Sequence, residues 1–163
     1  MYKDFTSRSS PSSPRRKSSQ PGPGRPLIGA LLRFPREVVV QRMLEALNEH
    51  GYDLTSTELA VMMYPGPEGQ RPSELARASA MSRQSMNYLL SGLETRGYLS
   101  RADGDQGLAR VIQLTERGRA AGKLMRKTVE QVEREWIAFL GKERFESLSE
   151  TLLDLSRWLG KVP

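Results

Sequence analysis

PSELARASAMSRQSMNYLLSGLETRG, residues 72 to 97, holds two helix starts, one tight connection and one helix stop, in that order. Pro72 suits a first helical position, where its missing N–H is no loss, and Glu74 favours the positive end of the helix dipole. That helix is short and runs to about Ser79. Ser82 is an N-cap for the next, which continues to about Arg96 and meets Gly97, a residue free to take the left-handed turn beyond a helix end. Two short helices around a tight connection have helix-turn-helix geometry.

The second of these helices divides into two faces. Met86, Leu89, Leu90 and Leu93 fall at i, i+3, i+4 and i+7 and form the side expected to be buried. Gln84, Asn87, Tyr88 and Ser91 lie opposite, with Ser82, Arg83 and Ser85 at the N-terminal end and no acid before Glu94. Arginine can bond guanine in bidentate fashion, glutamine and asparagine can do the same with adenine, and serine serves either. A surface helix of any protein shows a polar face, so the order of the surrounding elements has to carry the case.

Toward the C-terminus the period changes from helical to extended. Tyr98–Arg101 and Arg110–Leu114 flank the turn-rich stretch Ala102–Gly107, which predicts a hairpin. Thr115 caps a long helix with Met125, Val129, Val132, Trp136 and Phe139 on one stripe. After Gly141, another helix carries Phe145, Leu148, Leu152, Leu155 and Leu159. Both stripes cover about two positions in seven, as in a helix-pairing seam. Toward the N-terminus, Thr55 and Glu58 predict a capping box ahead of Leu59, Met62 and Met63, with Pro65 ending that helix. Leu27, Ile28, Leu31 and Leu32 form a short helical set that Pro35 is expected to break or kink near Phe34. A second helix then carries Val39, Val40, Met43, Leu44 and Leu47 and stops at Gly51.

Composition sets the outer limits. The 163 residues fit one domain of ordinary size, and the net charge of +6 favours a polyanionic partner. Most of that charge sits in residues 1 to 26, which carry +5 and hold seven Ser, five Pro and two Gly, the makeup of a disordered basic arm. Between Arg71 and Arg110 six basic residues meet four acids, so the placement of individual side chains matters more than bulk charge. With no cysteine there is no disulfide, thiolate metal site or cysteine nucleophile. A single histidine, His50, and no glycine-rich phosphate loop leave no constellation for catalysis, so an enzyme, a metal and a cofactor are not expected. No run of about 18 apolar residues appears, which predicts a protein without a membrane span, and a cytoplasmic setting is expected.

The run from Leu54 to Gly118 resembles the winged helix of MarR-type regulators, the multiple antibiotic resistance regulator family. The matching signals are Leu54-Thr55, Pro72 to Ala76, Ser82 to Met86, Leu89 to Glu94, Arg96 to Leu99 and Leu114 to Gly118. With the flanking helices the likeness covers about residues 27 to 160 and leaves out the arm. It implies a mainly α fold with a small β-hairpin, in which 27–53 and 116–163 are dimerisation helices around a DNA-binding lobe, 54–115. It also implies a homodimer with a recognition helix in each major groove and a wing in the adjacent minor groove. Relatives usually carry an Asp-Arg pair near the wing tip, where this chain has Gln106, Gly107 and Leu108.

The expected protein is therefore a homodimeric, sequence-specific DNA-binding regulator, a repressor, acting on a pseudo-palindromic operator and relieved by a small-molecule effector. Its recognition residues are Ser82, Arg83, Gln84, Ser85, Asn87 and Tyr88, with Arg71, Arg101 and Arg110 on the wing and flanks. His50, Met62 and Tyr64 are candidates for an effector pocket. Val39, Met43, Leu47, Val132, Trp136, Phe139, Leu148, Leu152 and Leu155 are candidates for the dimer interface. The alternative is a winged-helix protein-interaction module without specific DNA binding.

Overall fold

A computed structural model describes residues 24, 26–63, 69–102 and 111–160. Residues 1–23 and 25 of the arm, Tyr64, Pro65, Arg110 and the tip of the hairpin lie outside these residues. Six helices and one hairpin follow in the order α1 (Ile28–Glu49), α2 (Ser56–Met62), α3 (Pro72–Ala78), α4 (Arg83–Thr95), β1 (Leu99–Ala102), β2 (Val111–Leu114), α5 (Glu116–Leu140) and α6 (Lys142–Trp158).

Local chemistry accounts for most of the boundaries. At the head of α2, Thr55 Oγ1 accepts from the Glu58 amide at 3.3 Å while Glu58 accepts from the Thr55 amide at 2.9 Å, the reciprocal pair expected of a capping box. Ser82 Oγ accepts from the Ser85 amide at 3.1 Å at the head of α4, and Thr115 Oγ1 accepts from the Gly118 amide at 3.1 Å at the head of α5. Gly97 closes α4 with φ +74°. Gly118 has a different duty: a Cβ there would overlap the Tyr98 carbonyl oxygen, so only glycine lets the start of α5 pass β1.

The expected break at Pro35 does not occur, for α1 runs unbroken through it. Proline removes the hydrogen bond to the carbonyl four residues back, that of Leu31, and Leu31 is exposed, so water can satisfy the orphaned oxygen.

The core is built where the lobe meets the long helices. Met43 and Leu47 of α1, Leu59 and Val61 of α2, Leu75 of α3, Met86, Leu90 and Leu93 of α4, Ile112 of β2 and Met125 of α5 form one buried cluster. Each such leucine contributes about 1.5–3 kcal/mol relative to an exposed position. α1 lies along α5, with Arg42 of one and Glu135 of the other joined at 3.0 Å. Met43, Leu47 and Val132 are consequently filled inside the single chain, which corrects their assignment to an interface between chains. The hairpin is antiparallel, with Leu99 opposite Leu114 and Ala102 opposite Val111. Gln70 adds a stub on the far side of β2, exchanging backbone bonds of 3.1 and 2.8 Å with Ile112. Gly69 makes that approach possible at φ +81°, where a Cβ would come within 2.8 Å of Gln113 Cγ and 2.9 Å of the Ile112 carbonyl.

Candidate nucleic-acid interface

The α4 helix presents the two faces its sequence predicts. Met86, Leu90 and Leu93 are fully buried and Leu89 partly so, which fixes the helix against the lobe and α3. Ser82, Arg83, Gln84, Ser85, Asn87, Tyr88 and Ser91 are all exposed. Tyr88 is 81% exposed, an extent unusual for a side chain of that apolar area. The turn that carries α4 beyond α3 is held by the Met81 amide on the Ala76 carbonyl at 2.9 Å, with Ala80 in the left-handed region at φ +53°.

Arg71 and Arg83, from the heads of α3 and α4, line a shared open cavity of about 330 Å³ together with Pro72, Ser73 and Asn87. Arg101 is placed differently. Its Nε donates to Glu94 Oε2 at 3.0 Å, so this candidate of the wing is paired with the acid near the end of α4. A single-strand reading could not see this pair, because the residues sit seven apart across a helix stop.

What orients α4 is a polar junction at its C-terminal end that sequence reasoning missed. Arg96 spends its whole guanidinium there: Nε donates to the Gly92 carbonyl at 3.1 Å, Nη1 to the Asp53 carbonyl at 2.6 Å, and Nη2 to Glu58 Oε1. Burial opposes the charge of Arg96, yet the bonds to Glu58 and Asp53 outweigh it and hold its pKa above the ordinary value. Glu58, only 7% exposed, therefore serves both the α2 cap and the end of α4. The buried Tyr98 hydroxyl donates to Asp53 Oδ1 at 2.8 Å and accepts from the Asp53 amide at 3.1 Å and from Arg117 Nη2 at 3.2 Å. The Tyr98 bond, with further help from Asp53's own backbone amide and from Arg96, lowers the Asp53 carboxyl below its usual range. The bond to Tyr98 raises the pKa of Arg117, whose guanidinium lies 4.8 Å from the Tyr98 ring centroid. A capping glutamate and a tyrosine at the start of a strand were the available signals, but neither reveals its distant partners.

Of the effector candidates, Met62 lines a cleft of about 630 Å³ between α1, α2 and α5, with Met43, Met63, Met125 and Val129 beside it and Arg119, Lys123 and Arg126 on its basic side. His50 is elsewhere: its Nδ1 lies 2.8 Å from the Ala46 carbonyl of its own helix, which gives it an end-of-helix role. Among the interface candidates, Phe139, Leu148 and Leu155 are exposed, while Val39, Trp136 and Leu152 are half-covered. Among the described residues no cluster of three or more His, Asp or Glu could hold a metal, and no helix is long and apolar enough to cross a membrane.

A capped helix pair, a hairpin wing and an outward polar helix define the winged helix-turn-helix class of protein. No family model matches the sequence, and no curated protein matches it. Solved structures do. The MarR family protein Rv2887 of Mycobacterium tuberculosis, solved in complex with DNA, is similar at 27% identity and a TM-score of 0.61, over 80% of this chain and 98% of that one. The same protein has also been solved with p-aminosalicylic acid, matching at 26% identity and a TM-score of 0.60, over 80% and 99%. A MarR family transcriptional regulator from Rhodococcus sp. RHA1 matches at 21% identity and a TM-score of 0.63, over 79% and 91%. The chain shares with these structures the MarR-type winged helix-turn-helix fold, mainly helical with one small hairpin.

Proposed function

We propose that this protein is a homodimeric, sequence-specific DNA-binding transcription regulator, a repressor of the cytoplasm whose hold on a pseudo-palindromic operator is relieved by a small molecule. The observation that carries the reading is the outward face of α4: Gln84, Asn87, Tyr88 and Ser91 are exposed opposite a fully buried apolar ridge, with no acid before Glu94. Such a face has the donors and acceptors that the major groove requires. The division into an arm (1–26), dimerisation helices (27–53 and 116–163) and a lobe (54–115) belongs to the same proposal. The cleft lined by Met62 is a suitable effector site, being apolar along α1 and α2 and lined along α5 by Arg119, Lys123 and Arg126 together with Glu130 and Glu133. DNA and p-aminosalicylic acid, each bound by the Mycobacterium tuberculosis relative, support both halves of the proposal.

The test is selection of preferred duplexes from a random-sequence pool, followed by titration of selected and scrambled DNA at several salt concentrations. A clear preference, a binding constant that falls with salt, and half-sites about 10 bp apart or a multiple of it are expected. Equal binding of both duplexes would sink the specific-regulator claim. The pairing of Arg101 with Glu94 withdraws one cation from the surface and keeps a protein-interaction module as the second reading.

A further inference from the structure

The cavity between the heads of α3 and α4 divides the labour of the exposed helix face. Arg83 and Asn87 are i, i+4 neighbours, so they share one ridge of α4, and that ridge borders the cavity facing Arg71, Pro72 and Ser73. Gln84, Tyr88 and Ser91 stand on the adjacent ridge and take no part in the cavity. Two arginines from the heads of different helices therefore line one open hollow. Among the described residues neither has a carboxylate within salt-bridge distance or a side-chain hydrogen bond. Glu74, three residues on, turns its carboxylate to the Arg71 backbone amide at 3.1 Å. Two cations that line one hollow with no counter-ion among the described residues repel, so the arrangement is at its most favourable with an anion between them.

We infer that this hollow is the seat of one backbone phosphate of bound DNA, gripped by Arg71 and Arg83 with the Ser73 hydroxyl and Asn87 amide as neutral donors. This inference rests on the DNA-binding reading above and changes it in one respect: Arg83 positions the helix, and the bases are read by Gln84, Tyr88 and Ser91. The open mouth of the hollow suits a diester, which must enter and leave as part of a chain. Contacts of this kind set register without carrying sequence information.

The experiment uses the full chain and measures fluorescence anisotropy with a selected and a scrambled duplex at four salt concentrations, for wild type, Arg71→Gln, Arg83→Gln and the double variant. Both arginines are exposed, and circular dichroism melts check that the variants remain folded. Each single substitution is expected to weaken both duplexes equally, by roughly 3- to 10-fold, and to reduce the salt slope by about one per bound copy. Replacing single phosphates by neutral methylphosphonates should reveal one position per half-site at which the substitutions lose their effect. A change in the preferred sequence with Arg83→Gln would return that residue to base reading and overturn the seat. So would an unchanged salt slope with Arg71→Gln, or a methylphosphonate scan with no such position. A further arm titrates inorganic phosphate against chloride at matched ionic strength. Tight phosphate binding that Arg71→Gln abolishes, with DNA affinity unaltered, would assign the hollow to a free anion instead. If wild type shows no preference between the duplexes, the regulator reading fails; if it does and only the arginine effects are missing, the seat alone fails.

Discussion

Ala80 sits in the turn between α3 and α4 with φ +53°, a conformation that costs an L-residue about 1–2 kcal/mol. Glycine would relieve that strain, but it would also lose roughly 0.4–1 kcal/mol through a freer unfolded chain. The strain is the larger quantity, so Ala80→Gly is expected to raise stability by up to about 1 kcal/mol. Urea titration should show a higher midpoint with an unchanged slope, and a lower midpoint would mean that the alanine methyl makes a contact worth more than its strain. The turn itself was readable because caps are local: Ser82 and its partner Ser85 are three residues apart. The conformation of Ala80 was not, since it is set by the Met81 and Ala80 amides folding back on the carbonyls of Ala76 and Arg77.

Among the helices, α2 has only seven residues but distant obligations. Its capping glutamate reaches the end of α4, and the Asp53 turn before it shares the Tyr98 hydroxyl with Arg117 of α5. Asp53 is held below its usual carboxyl range by the Tyr98 bond first, so its contribution is present above that range and is lost as pH falls through it toward the depressed folded value. Thermal melts between about pH 5 and 3 should show wild type losing stability faster than Tyr98→Phe, which lacks the bond. Parallel curves would remove the hydroxyl from the account. The capping box of α2 and the hairpin strands were legible in the sequence, because each follows from residues a few positions apart. Proline at position 35 misled, since its penalty depends on whether the carbonyl it orphans can reach water. The bridge of Gln70 to Ile112 left no local trace, because pairing across 42 residues is decided by the fold.

At the scale of the molecule, a stripe of two apolar positions in seven says that a helix packs, and leaves open against which chain. Met43, Leu47 and Val132 are spent inside the protomer, whereas Phe139 and Trp158 are 86% and 81% exposed. With Ile28, Leu31, Phe34 and Val38 also uncovered on the first half of α1, the ends of the long helices expose a large apolar area, the surface that the proposed homodimer would cover. Phe139→Glu combined with Trp158→Glu is expected to convert a dimer to monomers in sedimentation velocity without lowering helix content. A dimer unchanged by both substitutions would place its interface elsewhere. The junction of Asp53, Glu58, Arg96, Tyr98 and Arg117 has a genetic meaning beyond its chemistry. Because these five side chains hold the end of α4 without belonging to its outward face, alleles that abolish the proposed DNA-binding activity should arise there as readily as at positions able to touch a base.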